Sequence, residues 1–237
     1  MSREPRYPSV RDTAGVSQVA RVNRLGFVNS YLVAEDDGLT LVDTMIPRSS
    51  KAILTAAEEL GAPIVRIILT HGHGDHIGSL DALAAELPDA EVLISARDAR
   101  LLRKDRSPDA DEPQVKVRGS LPGARTAPSR AIAPGERIGS LEVVAASGHT
   151  PGQLALFDTR DGTLICGDAF STLGGVETAA RMNPRFPVLT FATWHRPTAL
   201  ESARALRALD PARLAPGHGK IVEVPGAAMD AAIARAS

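Results

Sequence analysis

The sequence holds a single cysteine, Cys166, among 237 residues. One cysteine excludes an intrachain disulfide framework and fits a reducing compartment. Excess positive charge is also missing: 27 Lys and Arg stand against 28 Asp and Glu, for a net charge of −1. With no global basic field, neither nucleic acid nor a membrane surface is an expected partner. No uninterrupted apolar run approaches the ~20 residues that a membrane-spanning helix needs. The opening stretch MSREPRYPSV is charged and proline-containing, with no apolar core of a signal peptide. Low-complexity tracts, residue-level repeats and a Gly-rich phosphate-binding turn are absent too. These absences point to a soluble, cytoplasmic protein.

What is present suffices for a buried core. The chain is 43% hydrophobic, ample for a globular fold, and residues 1–237 are expected to form one domain. Alternating or β-branched runs predict strands over Ser17–Val22, Phe27–Ala34, Leu39–Asp43, Ile64–Leu69 and Glu91–Ser95. Helical spacing of apolar residues marks Ser49–Leu60, stopped by Gly61, and Ile77–Leu87, stopped by Pro88. A second set of strands is predicted over Ser140–Ala145, Gln153–Asp158, Thr163–Cys166 and Ile221–Val224, with helices from Thr198 to Leu209 and from Met229 to Ala236. Two stretches, Arg103–Pro134 and Ser171–Thr193, show little periodicity. The first reads as a surface loop or ordered insertion, with a lid over substrate as the alternative, because loops of that length are uncommon in compact domains and often functional; the second reads as irregular. Both are the expected seat of selectivity.

The chemistry concentrates in LTHGHGDHIGSL, Leu69 to Leu80. His71, His73 and His76 crowd into it with Asp75, and Gly72 and Gly74 would let the backbone bend between them. His149 in SGHTPG and His218 in PGHG each lie just after a predicted strand, as does Asp168 in CGDAF. Strand ends are where loops converge to build sites in layered α/β structures. Imidazole and carboxylate are standard ligands for zinc and similar divalent ions. A lone histidine is usually a surface or capping residue, but here five of the six fall in strand-end loops, so the set reads as a metal centre.

These motifs, His71-Gly-His73-Gly-Asp75-His76, Gly148-His149-Thr150-Pro151-Gly152, Gly167-Asp168 and Pro216-Gly217-His218-Gly219, resemble those of the metallo-β-lactamase-fold hydrolases, in the same order and over nearly the whole chain. The resemblance implies an α+β fold, a four-layer αββα sandwich of two mixed sheets with helices on the outer faces. It further implies one metal held by His71, His73 and His149, a second by Asp75, His76 and His218, and Asp168 bridging them. Asp43 would orient a ligand histidine, with an Asx turn as its alternative role. Thr70 and Thr150 would buttress ligands or simply form turns. His195, the remaining histidine, would shape the pocket or start a helix. Ser79, Cys166 and Tyr31 are expected to be structural.

A dinuclear centre would lower the pKa of a water toward ~7, giving a metal-bound hydroxide that attacks a carbonyl or phosphoryl centre, with Asp75 steering it or passing a proton to the leaving group. The expected reaction is hydrolysis of a small-molecule ester, thioester or lactone by a dinuclear zinc centre, for which iron or manganese would also serve. The alternatives are a phosphodiesterase or nuclease, and, further off, a mononuclear iron enzyme of the sulfur dioxygenase kind. The chain resembles glyoxalase II in its GHTPG and PGHG pieces but has few residues after His218, where that enzyme carries its glutathione-binding domain. It resembles homoserine-lactone lactonases in length, but reads Asp168-Ala169-Phe170-Ser171 where they commonly place a tyrosine. A homo-oligomer stays open.

Overall fold

Strand by strand, residues of alternate sidedness sort into three apolar layers. The structure, a computed structural model, describes residues 19–237. The chain begins with β1 (Val19–Arg24), β2 (Val28–Glu35) and β3 (Gly38–Val42), followed by α1 (Ser50–Leu60) and β4 (Ile64–Ile68). Next come α2 (Gly74–Ile77), α3 (Leu80–Glu86), β5 (Glu91–Ser95), α4 (Ala96–Leu102) and β6 (Arg130–Ile132). These strands make one sheet in the order β1-β2-β3-β4-β5-β6, antiparallel as far as β3 and parallel beyond it.

The second half supplies β7 (Arg137–Ile138), β8 (Leu141–Ala145), β9 (Leu154–Asp158) and β10 (Thr163–Gly167), then the small hairpin of β11 (Phe170–Ser171) and β12 (Glu177–Thr178). It ends with α5 (Pro187–Ala192), α6 (Arg196–Ala208), β13 (Arg213–Pro216), β14 (Val222–Glu223) and α7 (Gly226–Ala236). The second sheet runs β14-β13-β10-β9-β8-β7, with only β10 and β13 parallel.

Because side chains alternate across a strand, each sheet feeds two layers. Tyr31, Val33, Val42, Ile68 and Leu93 of the first sheet meet Leu141, Val143, Leu154, Leu156 and Ile165 of the second, forming the core between the sheets. Leu32, Leu41, Ile67 and Ile94 point outward against Ile53 of α1 and Leu80 and Leu83 of α3. Leu164, Cys166 and Leu214 point the other way against Ala203 and Leu206 of α6 and Met229 of α7. The result is the αββα sandwich. No helix among the described residues is long and apolar enough to cross a membrane.

Three departures from the sequence reading have physical causes. The helix predicted over Ile77–Leu87 is two pieces, α2 and α3. The break falls where Gly78 N–H donates to Met45 O at 2.8 Å and Ser79 Oγ donates to Ile46 O at 2.8 Å, tying the chain to the loop after β3. The region Arg103–Pro134 is ordered: its tail adds β6 to the sheet edge, while Val117 and Leu121 pack on Leu101 and Trp194. The stretch Ser171–Thr193 contains β11's end, β12 and the short helix α5. The strand predicted from Ser17 is seen from Val19, and Ser17 and Gln18, like MSREPRYPSV, lie outside the described residues.

Candidate metal centre

The site forms where strands of both sheets end on a common edge. β3 delivers Asp43, β4 delivers His71 to His76, β8 is followed by His149, β10 by Asp168 and β13 by His218. The structure brings all seven sequence-predicted ligands together. His71, His73 and His149 form one group with ligand atoms within 4.8 Å of one another. Asp75, His76 and His218 form another, and Asp168 groups with His71 and His76. Asp168 lies between them: Oδ1 is 3.3 Å from His76 Nε2, and Oδ2 is 3.3 Å from both His149 Nε2 and His218 Nε2. Asp75 Oδ2 is 3.3 Å from His218 Nε2.

The outward nitrogen of every ring is engaged, and its partner sets the tautomer. His71 Nδ1–H donates to Thr70 Oγ1 at 3.0 Å, since that hydroxyl's own proton goes to Asp43 Oδ2 at 2.7 Å. His76 Nδ1–H donates to the same Asp43 oxygen at 2.7 Å. His73 Nε2–H donates to the Arg118 carbonyl at 2.9 Å. His149 Nδ1–H donates to Thr193 Oγ1 at 3.0 Å, whose hydroxyl donates to Leu189 O at 2.8 Å. His218 Nδ1–H donates to Phe27 O at 2.9 Å. Such outer partners fix ring orientation and raise ligand basicity.

Five imidazole ring nitrogens therefore point inward together with two carboxylates. His73 Nδ1 and His149 Nε2 face each other at 2.9 Å. His71 Nε2, His76 Nε2 and Asp168 Oδ1 are buried without a hydrogen-bond partner; the last two are near each other but not in hydrogen-bonding geometry. Buried polar atoms are seldom left so. A buried cluster of ring nitrogens and carboxylates is what divalent cations satisfy, so the residues fit such ions.

The electrostatics agree. Burial, reinforced by neighbouring imidazoles, keeps His71 well below its ordinary pKa, and burial takes His149 down to about 3. Both are neutral ligands at pH 7. For His76 and His218 burial pulls down, but the Asp168 carboxylate and its neighbours pull up and win, taking His218 to about 10. Burial raises Asp168, yet His218 and His76 hold it well below the carboxylate range, and His218 does the same for Asp75. The two carboxylates thus favour positive charge beside the inward ring nitrogens, the charge that a cation supplies.

Asp43 adopts the outer role suggested for it. It sits in a left-handed conformation, φ 60°, uncommon for a non-glycine residue, and its Oδ1 accepts Thr70 N–H at 2.8 Å. The carboxylate is thus spent on the ligand loop and not on an Asx turn. Thr70 buttresses both Asp43 and His71. Asn29 and Tyr31 act on the last loop: Asn29 Nδ2 donates to Pro216 O and Gly219 O at 2.8 Å, and Tyr31 O–H donates to Pro216 O at 2.6 Å. Gly72 and Gly74 do not serve as bends, since neither has a positive φ. They are small because Leu101 and the Ser120–Pro122 segment lie against them; a Cβ on Gly72 would stand 2.8 Å from that of Leu101. Cys166 is buried and its thiol is pushed up to about 12 by burial, which suits a structural role.

His195 stands apart from the ligands. It is the N-cap of α6, with Nδ1 accepting from Thr198 N–H at 3.4 Å and lying 2.7 Å from Thr198 Oγ1. His195→Ala is expected to cost about 1 kcal/mol or less of stability, as for a lost cap, with metal content unchanged on elemental analysis.

Sequence reasoning missed Asp98, Thr193 and the Arg118 carbonyl. Asp98 is fully buried in α4 and joins the two ligand loops of the first group. Its Oδ2 accepts Gly72 N–H at 3.0 Å and Thr150 O–H at 2.6 Å, and its Oδ1 accepts Gly152 N–H at 2.7 Å. A carboxylate just past the end of β5, on the edge that carries the other ligands, was the available signal. Asp98→Asn places an amide N–H against these donors. It is expected to weaken metal binding at the His71/His73/His149 group by roughly 10- to 100-fold, read as the affinity of one of two sites in a metal titration. The Arg118 carbonyl is positioned by Gly119 (φ 86°), where any Cβ would collide with the His73 ring.

The sequence profile of the Metallo-beta-lactamase superfamily matches residues 23–218. The uncharacterized protein YobT of Bacillus subtilis (strain 168) is 46% identical over 210 residues, covering 88% of this chain and 90% of YobT. A hydroxyacylglutathione hydrolase of Synechococcus sp. (strain JA-2-3B'a(2-13)) is 32% identical over 139 residues, which are 58% of this chain but 47% of that enzyme. Among solved structures, TTHA1623 in a di-iron-bound form has the same fold, with a TM-score of 0.65, 24% identity, and coverage of 88% of this chain and 95% of its own.

Proposed function

The chain belongs to the metallo-beta-lactamase superfamily and is a metallo-hydrolase, and from that premise we propose that it is a dinuclear enzyme cleaving a small-molecule ester, thioester or lactone. One ion would be held by His71, His73 and His149, the other by Asp75, His76 and His218, with Asp168 shared. The observation that carries this reading is the inward convergence of five imidazole ring nitrogens and two carboxylates, with Asp168 close to histidines of both groups. Zinc is the proposed metal; iron suits the same donors, and the di-iron form of TTHA1623 shows that this fold accommodates it.

When bound, such ions lower the pKa of a water and polarise a carbonyl oxygen. The protein's own part is positional. Asp43, Thr70, Thr193 and the Arg118 and Phe27 carbonyls hold the rings in one tautomer. Asp75 is the ligand with a half-exposed side chain on the cavity. Held ionised by His218, it can orient the attacking water and return its proton to the leaving group. We further read residues 1–237 as one domain acting on a small molecule in the cytoplasm, on the strength of the lone cysteine and balanced charge.

The test is elemental analysis of untagged, chelator-free protein followed by a panel of esters, thioesters, lactones and phosphodiesters. Two equivalents per chain with turnover of a carboxylic substrate are expected. A single tightly held iron, or no metal after reconstitution, would overturn the dinuclear assignment.

A further inference from the structure

The metal cluster lies at the floor of a cavity of about 610 Å³, within the range of small-molecule sites. Its floor is polar and its walls are not. Apolar lining comes from Ile46 and Pro47, in the loop after β3, and from Phe186 and α5, through Val188, Phe191 and Ala192. Val188 and Phe191 are each 61% exposed, although the same short helix buries Leu189 at 2%. A helix that turns one apolar residue into the core and keeps two at the rim of the catalytic cavity is presenting them to something.

The charges in the cavity are equally informative. Among the described residues lining it there is no Lys or Arg, and the only carboxylates are the candidate ligands Asp75 and Asp168. The arginines near α5 are engaged elsewhere: Arg185 Nη1 donates to Gly174 O at 3.0 Å and Arg181 pairs with Glu177 at 3.1 Å. An anionic group on the substrate would face apolar walls without a counter-ion, an unfavourable burial. An alkyl or aryl arm would remove the surface of Val188 and Phe191 from water together with its own.

On the hydrolase reading above, we propose that the substrate is a carboxylic ester, thioester or lactone with an uncharged apolar arm that lies against α5 and Ile46–Pro47. Val188 and Phe191 are the specificity-determining residues. Substrates with charged arms, such as thioesters of the doubly carboxylated tripeptide glutathione, are disfavoured, as are phosphodiesters.

The experiment uses metal-loaded protein and p-nitrophenyl esters from acetate to octanoate, with hemi-esters of dicarboxylic acids of matched length as anionic controls. The value of kcat/KM is expected to rise roughly three- to fourfold per added methylene over the first several carbons, the factor corresponding to one buried CH₂. The anionic esters should be poorer than their neutral counterparts by tenfold or more. Phe191→Ser and Val188→Ser change exposed positions and should fold; each is expected to flatten the chain-length gradient. Turnover with no gradient, or a preference for the anionic series, overturns this proposal and leaves the hydrolase reading intact. Should no ester be turned over by protein holding two ions, the hydrolase reading is at fault instead. Calorimetric binding of a methyl ketone series then decides the present proposal: affinity that grows with chain length and is lost in Phe191→Ser supports it, and no binding overturns it.

Discussion

Asp168→Ala is expected to abolish turnover, lowering kcat/KM by more than about a hundredfold, the upper range seen for outer partners of a metal site, while the protein remains folded. Asp168 is the carboxylate within 3.3 Å of imidazoles from both ligand groups, His149 on one side and His76 and His218 on the other. On the dinuclear reading, its removal would leave each ion one donor short and take away the negative charge that both would share. The backbone at this position does not depend on the carboxylate. Ala169 N–H donates to Cys166 O at 3.1 Å and Gly217 N–H to Gly167 O at 2.8 Å, so the turn after β10 is held by main-chain bonds. Circular dichroism should match the parent, whereas elemental analysis should fall below two equivalents. Asp168→Asn keeps the shape and loses the charge. If the alanine variant fails and the asparagine variant recovers metal but not turnover, shape holds the ions and charge drives the reaction. Full turnover in Asp168→Ala would remove the bridging role altogether.

The seven candidate ligands are legible because each stands in a loop that starts where a strand's alternation stops. β4, β8 and β10 announce themselves by β-branched or apolar runs, and His71, His149 and Asp168 follow within a few residues. The same alternation divides Leu32, Leu41 and Ile67 from Tyr31, Val42 and Ile68, so two-sided burial of the first sheet was written in its order of residues. What lay beyond reach was of another kind. The Arg118 carbonyl that fixes His73 belongs to the backbone and has no side-chain signature. Thr193 and Asp98 act across 44, 26, 52 and 54 positions of sequence on His149, Gly72, Thr150 and Gly152, contacts that only the closed fold creates. The helix α5 is six residues long with Pro187 at its start, less than two turns, too short for a 3.6-residue period to show. Gly72 and Gly74 were recognised as necessary but for another reason: they make room for neighbours.

Stripping the ions should cost the fold heavily, and more so in acid. Ions that bind only the native state stabilise it by about 4 kcal/mol each when present at a thousand times their Kd. For a domain of this size each kcal/mol is worth roughly 2–4 °C, so chelation of two ions is expected to lower Tm by roughly 15–30 °C, read by differential scanning calorimetry. The metal-free protein should then become less stable as pH falls from about 6.5 toward 4. The sign follows from which state takes up protons. His71, His73 and His149 have native pKa values below the ordinary 6.5, His149 at about 3, so in this window the unfolded chain binds protons that the native state refuses. Stability is lost on acidification. His76 and His218 are raised, so their contribution is already complete below pH 6.5 and adds no slope. Asp75 and Asp168 are depressed below 3.8 and surrender their contribution only as the pH falls past that value. Acid also weakens ion binding, because the ligands must shed protons to coordinate. Chelated and loaded protein should therefore converge in Tm near pH 4 and separate as pH rises to neutrality. A Tm indifferent to chelator at pH 7 would mean that the buried acceptors are answered by something other than metal.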